Sequence, residues 1–302
     1  MTTTSAPPAP ARRSSNRPAR HAVSAFLTTH PRARLTGLLS LPMLWLVVAY
    51  LGALAAMFLT AFWTIDSFTS QLDKTFTWSN FTTMLSEPVY RDVALRSVII
   101  AAAVTVIDAL IALPIAFYMA KVASGRTQQI MVVLVMTPLW ASYLVKAYAW
   151  RVMLSGDGLI TRMFGADEPL YGQTAIAVVL AYLWLPYMII PVFAGLGRIP
   201  NSLLEASSDL GGGAWRTYRS VVLPLLAPSL VAGSIFTFSL SLGDLYTAKI
   251  VGGTSQLFSN VIYDNLVTGN NLPMAAALGV FPVLMMVIYL LAVKRTGALN
   301  NL

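Results

Sequence analysis

Long apolar runs alternate with short polar segments along most of this chain. A helix needs roughly 20 mostly apolar residues to cross the hydrocarbon core of a bilayer. The runs of sufficient length predict spans over residues 37–65, 97–119, 129–153, 174–197, 222–246 and 273–293. We therefore predict an all-α fold, a polytopic membrane protein with six transmembrane helices and a short polar helix between spans four and five.

Composition agrees with this prediction and sets the domain limits. Hydrophobic residues make up 57% of the chain and charged residues 11%, whereas soluble domains hold roughly 45–50% and about 25%. We predict a transmembrane domain over residues 37–295, followed by a short tail over residues 296–302. Residues 1–36 are rich in Ala, Pro, Ser and Arg and contain no acid, which predicts a disordered basic tail.

A polar segment, residues 198–224, interrupts the apolar pattern between spans four and five. Ser202 and Glu205 stand three positions apart, which predicts a capping box at the start of a helix. Residues 211–213 are all glycine and predict the end of that helix, because glycine adopts left-handed conformations without a steric penalty. A second short helix is expected over residues 214–220.

The first of these two short helices is amphipathic. Leu203, Ala206 and Leu210 fall on one of its faces, while Glu205 and Asp209, four positions apart, share another. A helix of this kind, held between two membrane spans, is typical of a docking surface.

The distribution of charge predicts the topology. The chain carries 20 Lys and Arg against 12 Asp and Glu, a net charge of +8. Basic residues concentrate in the N-terminal segment, the second and fourth loops and the C-terminal segment, and the positive-inside rule places these parts in the cytoplasm. Both termini and the polar segment are therefore expected on the cytoplasmic side. The basic excess is a topology signal, and we expect no nucleic-acid partner.

Few residues in the chain suit catalysis or metal binding. There is no cysteine, and the two histidines, His21 and His30, both lie in the hydrophilic N-terminal segment. We therefore expect no catalytic residue, no metal site and no cofactor on this chain. The sequence contains no Gly-x-x-x-x-Gly-Lys-[Ser/Thr] loop, so any ATP chemistry must lie on another chain.

Two acids and several aromatic residues are candidates for the translocation path. Asp108 lies in the middle of span two, where a carboxylate is costly and indicates a functional site. The alternatives for Asp108 are a pair with another span, or a protonated side chain. Asp244, at the outer end of span five, can meet arriving substrate, and the alternative is a solvated loop acid. The aromatic candidates are Tyr143, Tyr148, Trp150 and Trp184. Cation–π contact with an alkylammonium is one role for them, and packing or interfacial anchoring is the other.

The polar segment carries a recognisable spacing. Glu205-Ala206-Ser207 is followed after three residues by Gly211, and after nine more by Val221-x-Leu223-Pro224. This pattern resembles the EAA loop of bacterial ABC importer permeases of the binding-protein-dependent type, with Ser207 where the motif has alanine. Residues 147–151 and Leu242-Gly243-Asp244 resemble the spermidine/putrescine branch of that family. The resemblance covers about residues 35–295.

The resemblance implies partners and roles. It implies that the polar segment holds a cytoplasmic coupling helix that seats in a groove of an ATPase subunit. The residues implied in this contact are Glu205, Ala206, Ser207, Asp209 and Gly211. A dimer of ATPase subunits would carry ATP and Mg, and a second homologous permease and an extracytoplasmic substrate-binding protein would complete the importer in the bacterial cytoplasmic membrane.

The sequence leaves alternatives for both the transported cargo and the energy source of transport. Polyamines are the expected cargo, whereas iron, thiamine or another organic amine would suit related permeases. An ATP-independent secondary carrier, with Asp108 as its ion-coupling carboxylate, is a different class of function, and no convincing internal repeat supports it. An intramembrane enzyme lacks an evident nucleophile and base.

Overall fold

The computed structural model describes residues 31–66, 69–166 and 168–295, with side chains from residue 38 onward. The chain divides into two compact units, of which the first ends at Met57 and the second begins at Phe58. Each unit is described by itself. The predicted short tail, residues 296–302, lies outside the described residues.

The first unit is helical throughout its described part. Helix α1, Pro31–Leu46, continues through a π-helical turn, Val47–Leu51, into helix α2, Gly52–Thr60. Residues 38–53 are all exposed and mostly apolar, which suits a helix that faces lipid. The helix begins at Pro31, so the last residues of the predicted tail are helical, and residues 1–30 lie outside the described part.

The first predicted span ends five residues earlier than expected, at Thr60. Beyond it, strand β1, Thr64–Ile65, pairs antiparallel with strand β2, Leu72–Asp73. The buried amide of Asn80 donates hydrogen bonds to the carbonyls of Ala61 (2.8 Å) and Trp63 (2.7 Å). Carbonyls at a helix end need such partners, so Asn80 fixes the point at which the chain leaves the helix.

The remaining helices of the second unit follow in chain order. They are α3 Ser79–Ser86, α4 Pro88–Phe117, α5 Gly125–Trp140, α6 Tyr143–Met153, α7 Leu159–Met163, α8 Gln173–Arg198, α9 Asn201–Asp209, α10 Ala214–Thr217, α11 Leu223–Leu242, α12 Tyr246–Val251, α13 Phe258–Tyr263 and α14 Leu272–Arg295. Three π-helical turns are Tyr118–Val122, Tyr218–Val222 and Asp264–Thr268.

The all-α polytopic fold is confirmed. Among the described residues, five helical segments are long and apolar enough to cross a membrane. They are Leu38–Thr60, Pro88–Val122, Gln173–Arg198, Ala214–Leu242 and Leu272–Arg295. The count reaches six if α5 and α6 together form one broken span.

The prediction of one continuous third span was wrong. Helices α5 and α6 meet at an angle of 92°, because Ala141 and Ser142 between them adopt extended backbone conformations. Pro138 in the last turn of α5 lacks an amide donor. The ammonium of Lys146 donates a hydrogen bond to the Pro138 carbonyl (2.9 Å), so a side chain from α6 satisfies a backbone acceptor at the break.

Spans two and five are longer than predicted. Span two begins at Pro88, nine residues before the expected start, since proline is well tolerated in the first turn of a helix. Span five begins at Ala214, and the predicted separate short helix over residues 214–220 is its first part. The π-helical turn Tyr218–Val222 keeps the backbone helical between α10 and α11.

Helices α4, α8 and α11 form the core of the second unit. Val104, Ala112 and Ala116 recur at helical spacing on the buried face of α4, and they pack against apolar side chains of α8. Helices α8 and α11 approach closely at Gly195. A Cβ atom built there would lie 2.1 Å from the Oγ atom and 2.7 Å from the Cβ atom of Ser229. Small residues permit this kind of close helix contact in membranes.

We predict that Gly195→Ala destabilises the fold, because the added methyl group must push α8 and α11 apart. Overpacking of this kind costs about 1–3 kcal/mol. Thermal unfolding of the purified protein in detergent should show a lower midpoint. Gly197→Ala is the matched control, since a Cβ atom at Gly197 meets nothing within 4 Å. Equal midpoints for the two variants would contradict the packing described above.

Candidate functional site

The polar segment forms the short helix that its pattern predicts, but the predicted capping box is absent. Helix α9 begins at Asn201, and Pro200 takes the N-cap position without a side-chain hydrogen bond. The helix starts early enough to place Ser202 inside its first turn, where its hydroxyl no longer occupies the cap position. The pairing of Ser202 with Glu205 was therefore a wrong prediction.

The predicted end of α9 is confirmed. Gly211 has φ +77°, a conformation that costs a residue with a Cβ atom roughly 1–2 kcal/mol. The amide of Gly211 donates to the carbonyl of Ser208, and the amide of Gly212 donates to the carbonyl of Ser207, both at 2.9 Å. These two bonds form a Schellman motif, which satisfies the last carbonyls of the helix.

Ser207 links the two short helices across the glycine turn. Its hydroxyl lies 2.8 Å from the hydroxyl of Thr217 in α10, and the Thr217 hydroxyl also donates to the carbonyl of Gly212 (3.4 Å). The departure from the motif at Ser207 therefore has a structural explanation, since alanine could not make this contact. The glycine turn is held by side chains on both sides.

The exposed surface of this segment combines charge with apolar area. Glu205, Ala206 and Asp209 are exposed, and the apolar side chains of Leu210 and Trp215 are 88% and 73% exposed. A groove of about 330 Å³ runs along the segment. Its lining residues include Leu203, Ala206, Ser207, Leu210, Gly212 and Arg216. Apolar anchors with a polar rim are typical of a protein interface.

The base of the segment is held on the inner end of span two. The ammonium of Lys121 donates hydrogen bonds to the carbonyl of Ile199 (2.5 Å) and to Oδ1 of Asn201 (3.1 Å). The ring of Tyr218 contacts the ring of Phe117 edge-on at 6.2 Å. Sequence reasoning used Lys121 only as a topology signal, and nothing in the local pattern linked it to residues about 80 positions away.

A second candidate site lies at the opposite end of span five, around Asp244. This carboxylate is 6% exposed, so the alternative of a solvated loop acid was wrong. Tyr143 donates a hydrogen bond to Oδ2 of Asp244 (2.5 Å), and the amide of Thr247 donates to Oδ1 (2.8 Å). The hydroxyls of Tyr143 and Thr247 also lie 2.7 Å apart.

Burial is the main electrostatic influence on Asp244, which stands just beyond the last helical residue of span five. It raises the pKa of the carboxyl above its ordinary value, whereas the hydrogen bonds from Tyr143 and Thr247 act in the opposite direction. Among the described residues, the ion pairs Arg162–Asp157 and Lys249–Asp264 do not involve this side chain. The site thus offers a buried carboxyl group held by neutral donors.

Aromatic rings extend from this carboxyl along α8. Tyr143 stacks on Trp184 at 6.0 Å, and Trp184 contacts Tyr187 edge-on at 5.9 Å. Tyr246 meets Tyr143 edge-on at 6.3 Å. The indole Nε1 of Trp184 is buried and has no hydrogen-bond partner among the described residues. Tyr143, Trp184 and Asp244, three of the predicted path residues, therefore come together in one cluster, which Tyr187, Tyr246 and Thr247 join.

The other aromatic candidates lie apart from this cluster. The side chain of Tyr148 is 55% exposed. Trp150 packs against Tyr182 at 5.5 Å and lines a separate apolar cavity of about 820 Å³ near the start of α8. Helical spacing in α6 places position 148 on a different face from Tyr143, whereas Trp150 lies on the same face two turns further along the helix.

Asp108 is fully buried inside the second unit. It lies on the face of α4 between Val104 and Ala112, and those two residues pack against α8. Neither carboxylate oxygen has a hydrogen-bond partner within the described ranges, so the alternative of a pair with another span is not observed. Neighbouring side chains cover Asp108 completely, and it therefore lines no open path in this structure.

Comparison with known proteins decides the family. The family model described as "Binding-protein-dependent transport system inner membrane component" matches residues 103–295. The chain belongs to this family. The match includes both the polar segment and the Asp244 cluster.

Individual relatives agree with the family assignment. The chain is 38% identical to the inner membrane ABC transporter permease protein YdcU of Escherichia coli K12, over 96% of this chain and 98% of that protein. It is 29% identical to the spermidine/putrescine transport system permease protein PotB of Haemophilus influenzae, over 74% and 81%. The PotB protein of Escherichia coli K12 is 27% identical over 80% and 90%.

Solved structures share the fold. A chain of a bacterial alginate ABC transporter aligns with a TM-score of 0.70 at 16% identity, over 89% of this chain and 96% of that chain. A chain of the MetNI methionine ABC transporter aligns at 0.57 and 19% identity, over 70% and 97%. The present chain is thus a multi-pass permease subunit of an ABC importer, a transporter component rather than an enzyme.

We predict that Tyr143→Phe destabilises this permease, because the buried carboxylate of Asp244 loses its phenolic donor. A buried acceptor left without a partner costs about 1–3 kcal/mol. Thermal unfolding in detergent should show a lower midpoint. Tyr148→Phe is the control, since that side chain is largely exposed. A midpoint for Tyr143→Phe that equals that of the control would show that the hydrogen bond contributes nothing.

Proposed function

We propose that this chain forms the translocation path for polyamines, of the spermidine and putrescine class, in a bacterial ABC importer. The observation that carries the proposal is the buried carboxyl of Asp244, which binds Tyr143, whose ring in turn contacts the rings of Trp184 and Tyr246. Polyamines are linear polycations. A carboxylate attracts an ammonium group, and each aromatic face adds about 0.5–2 kcal/mol of cation–π attraction.

The relatives support the same cargo class. The two PotB proteins compared above are named as spermidine/putrescine permeases, and the name of YdcU specifies no cargo. Iron and thiamine are the alternative cargoes of related permeases, and of the two iron fits this cluster less well. A hard metal cation prefers several oxygen ligands, whereas an alkylammonium suits one acid and several ring faces.

The partners follow from this function. An extracytoplasmic substrate-binding protein delivers cargo to the end of the bundle that holds Asp244, and a second homologous permease completes the path. A dimer of ATPase subunits binds ATP and Mg and receives helix α9 through Glu205, Ala206 and Asp209. The exposed Leu210 and Trp215 serve as apolar anchors of that contact.

We infer an orientation that has both termini and the polar segment in the cytoplasm of the cell. Lys121, Arg198, Arg216 and Lys294 stand at helix ends that the chain order brings to the side of the polar segment. The contact of Lys121 with Ile199 joins two of these ends directly. The positive-inside rule supports a cytoplasmic location for this side.

Asp244→Asn tests the cargo. Vesicles that contain the assembled importer should take up labelled putrescine and spermidine, and Asp244→Asn should lower that uptake at least tenfold, because the amide removes the charge while keeping the shape. Asp264→Asn, a partly exposed acid 3.5 Å from Lys249, should leave uptake within about twofold. If the wild-type importer takes up thiamine or iron and no polyamine, the proposed cargo is wrong.

Gly211→Val tests the coupling. Valine is strained at φ +77°, so the tip of the polar segment must rearrange, and cargo-stimulated ATP hydrolysis should fall at least tenfold while the amount of protein in the membrane stays constant. Gly213→Val is the matched control, because Gly213 has φ −65° and an added Cβ atom meets nothing within 4 Å. Equal rates of ATP hydrolysis in Gly211→Val and Gly213→Val would show that this loop does not couple ATP hydrolysis to transport.

A further inference from the structure

The inner end of span two contacts both ends of the coupling segment, which we define as residues 199–222. On the entry side, Lys121 donates to the carbonyl of Ile199 and to Oδ1 of Asn201. On the exit side, the ring of Phe117 meets the ring of Tyr218 at 6.2 Å. The contacts come from two positions of span two that are one helical turn apart.

An apolar cluster reinforces these polar contacts. Met119 of span two is 1% exposed, Ile199 6% and Val222 2%, and all three belong to the same cluster of buried side chains. Ile199 and Val222 are the first and last residues of the coupling segment. The base of the segment is therefore packed on span two, whereas its tip, around Leu210 and Trp215, is exposed.

The position of the Lys121 ammonium is specific. The Ile199 carbonyl follows the last helical residue of α8, Arg198, where carbonyls lack partners within the helix and the helix dipole favours a positive charge. The second acceptor, Asn201, is the first residue of α9. One ammonium thus bridges the end of span four and the start of the coupling helix.

Span two also reaches the other end of the bundle. The helix is continuous from Pro88 to Val122 through its π-helical turn. Near its first turns, the hydroxyl of Ser97 accepts a hydrogen bond from the amide of Phe258 (2.8 Å). Phe258 begins α13, which lies in the loop region that follows Asp244 and α12. The same helix therefore contacts the coupling segment at one end and the loops near the cargo cluster at the other.

We propose that Lys121 is a positioning residue for energy coupling. It fixes the start of α9 to the inner end of span two, so that a push on the tip of the coupling segment moves span two. The inference rests on the proposed function, because the push comes from the ATPase partner. Without the two hydrogen bonds, apolar packing alone holds the start of α9 on span two, so a push on the tip moves span two less.

Lys121→Met removes the ammonium and keeps a long apolar side chain, and Lys121→Arg restores charged donors. The control is Arg126→Met, an exposed basic residue in the first turn of α5. In vesicles that hold the assembled importer, we expect Lys121→Met to keep ATP hydrolysis within about twofold but to lower putrescine moved per ATP at least fivefold. Lys121→Arg should recover most of that ratio, and Arg126→Met should leave it unchanged.

Because the chain contains no cysteine, a single introduced cysteine can carry a fluorescent label. Such a label allows a measurement that needs no cargo. A fluorophore on Asp92→Cys, an exposed position near the start of span two, reports movement at its far end and can be attached before assembly. We expect ATP to change the fluorescence of the label when Lys121 is present, and to have little effect on that fluorescence in the Lys121→Met variant.

Two outcomes would overturn the role of Lys121. One is that Lys121→Met moves as much putrescine per ATP as the wild type and shows the same fluorescence change. The other is an equal loss of hydrolysis and uptake, without rescue by Lys121→Arg, which would mean that Lys121 only maintains the assembled protein. Failure of the proposed function would give a different result, because the wild-type importer would then show no ATP-dependent putrescine uptake.

Discussion

Backbone carbonyls that become free where a membrane helix stops must find donors, because lipid supplies none. Side chains from elsewhere in the sequence meet this need at several breaks. Asn80 binds two carbonyls after the first span, Lys146 binds the carbonyl of Pro138, and Lys121 binds the carbonyl of Ile199. Arg151 similarly donates to the carbonyl of Ile250 (2.7 Å). These bonds satisfy carbonyls at four breaks in the chain, and the polar segment begins at one of them.

The two candidate sites lie at opposite ends of the same helices. The coupling segment joins span four to span five, and Asp244 follows the end of span five. Between them, α8 and α11 pack so closely at Gly195 that no side chain fits. Close packing of this kind leaves little free volume between the two helices.

Several residues show which structural features the sequence pattern predicts and which it misses. The EAA spacing drew attention to the polar segment, and the glycine run located the end of α9, because both depend on local backbone chemistry. The capping box failed although its spacing was correct, since the helix begins two residues earlier than the box required, with Pro200 at the N-cap position. The broken third span was missed because apolar composition continues through Ala141 and Ser142, and hydropathy does not register a change of backbone direction.

The sequence by itself determined the membrane class, the position of most spans and the likeness to importer permeases, because burial in lipid demands long apolar runs and the family resemblance rests on a local motif. The tertiary structure alone decided which polar residues act together. Tyr143 and Asp244 are separated by 101 positions, and Lys121 and Ile199 by 78. Such pairs depend on helix packing and on the direction of each side chain, and neither is encoded in the order of neighbouring residues.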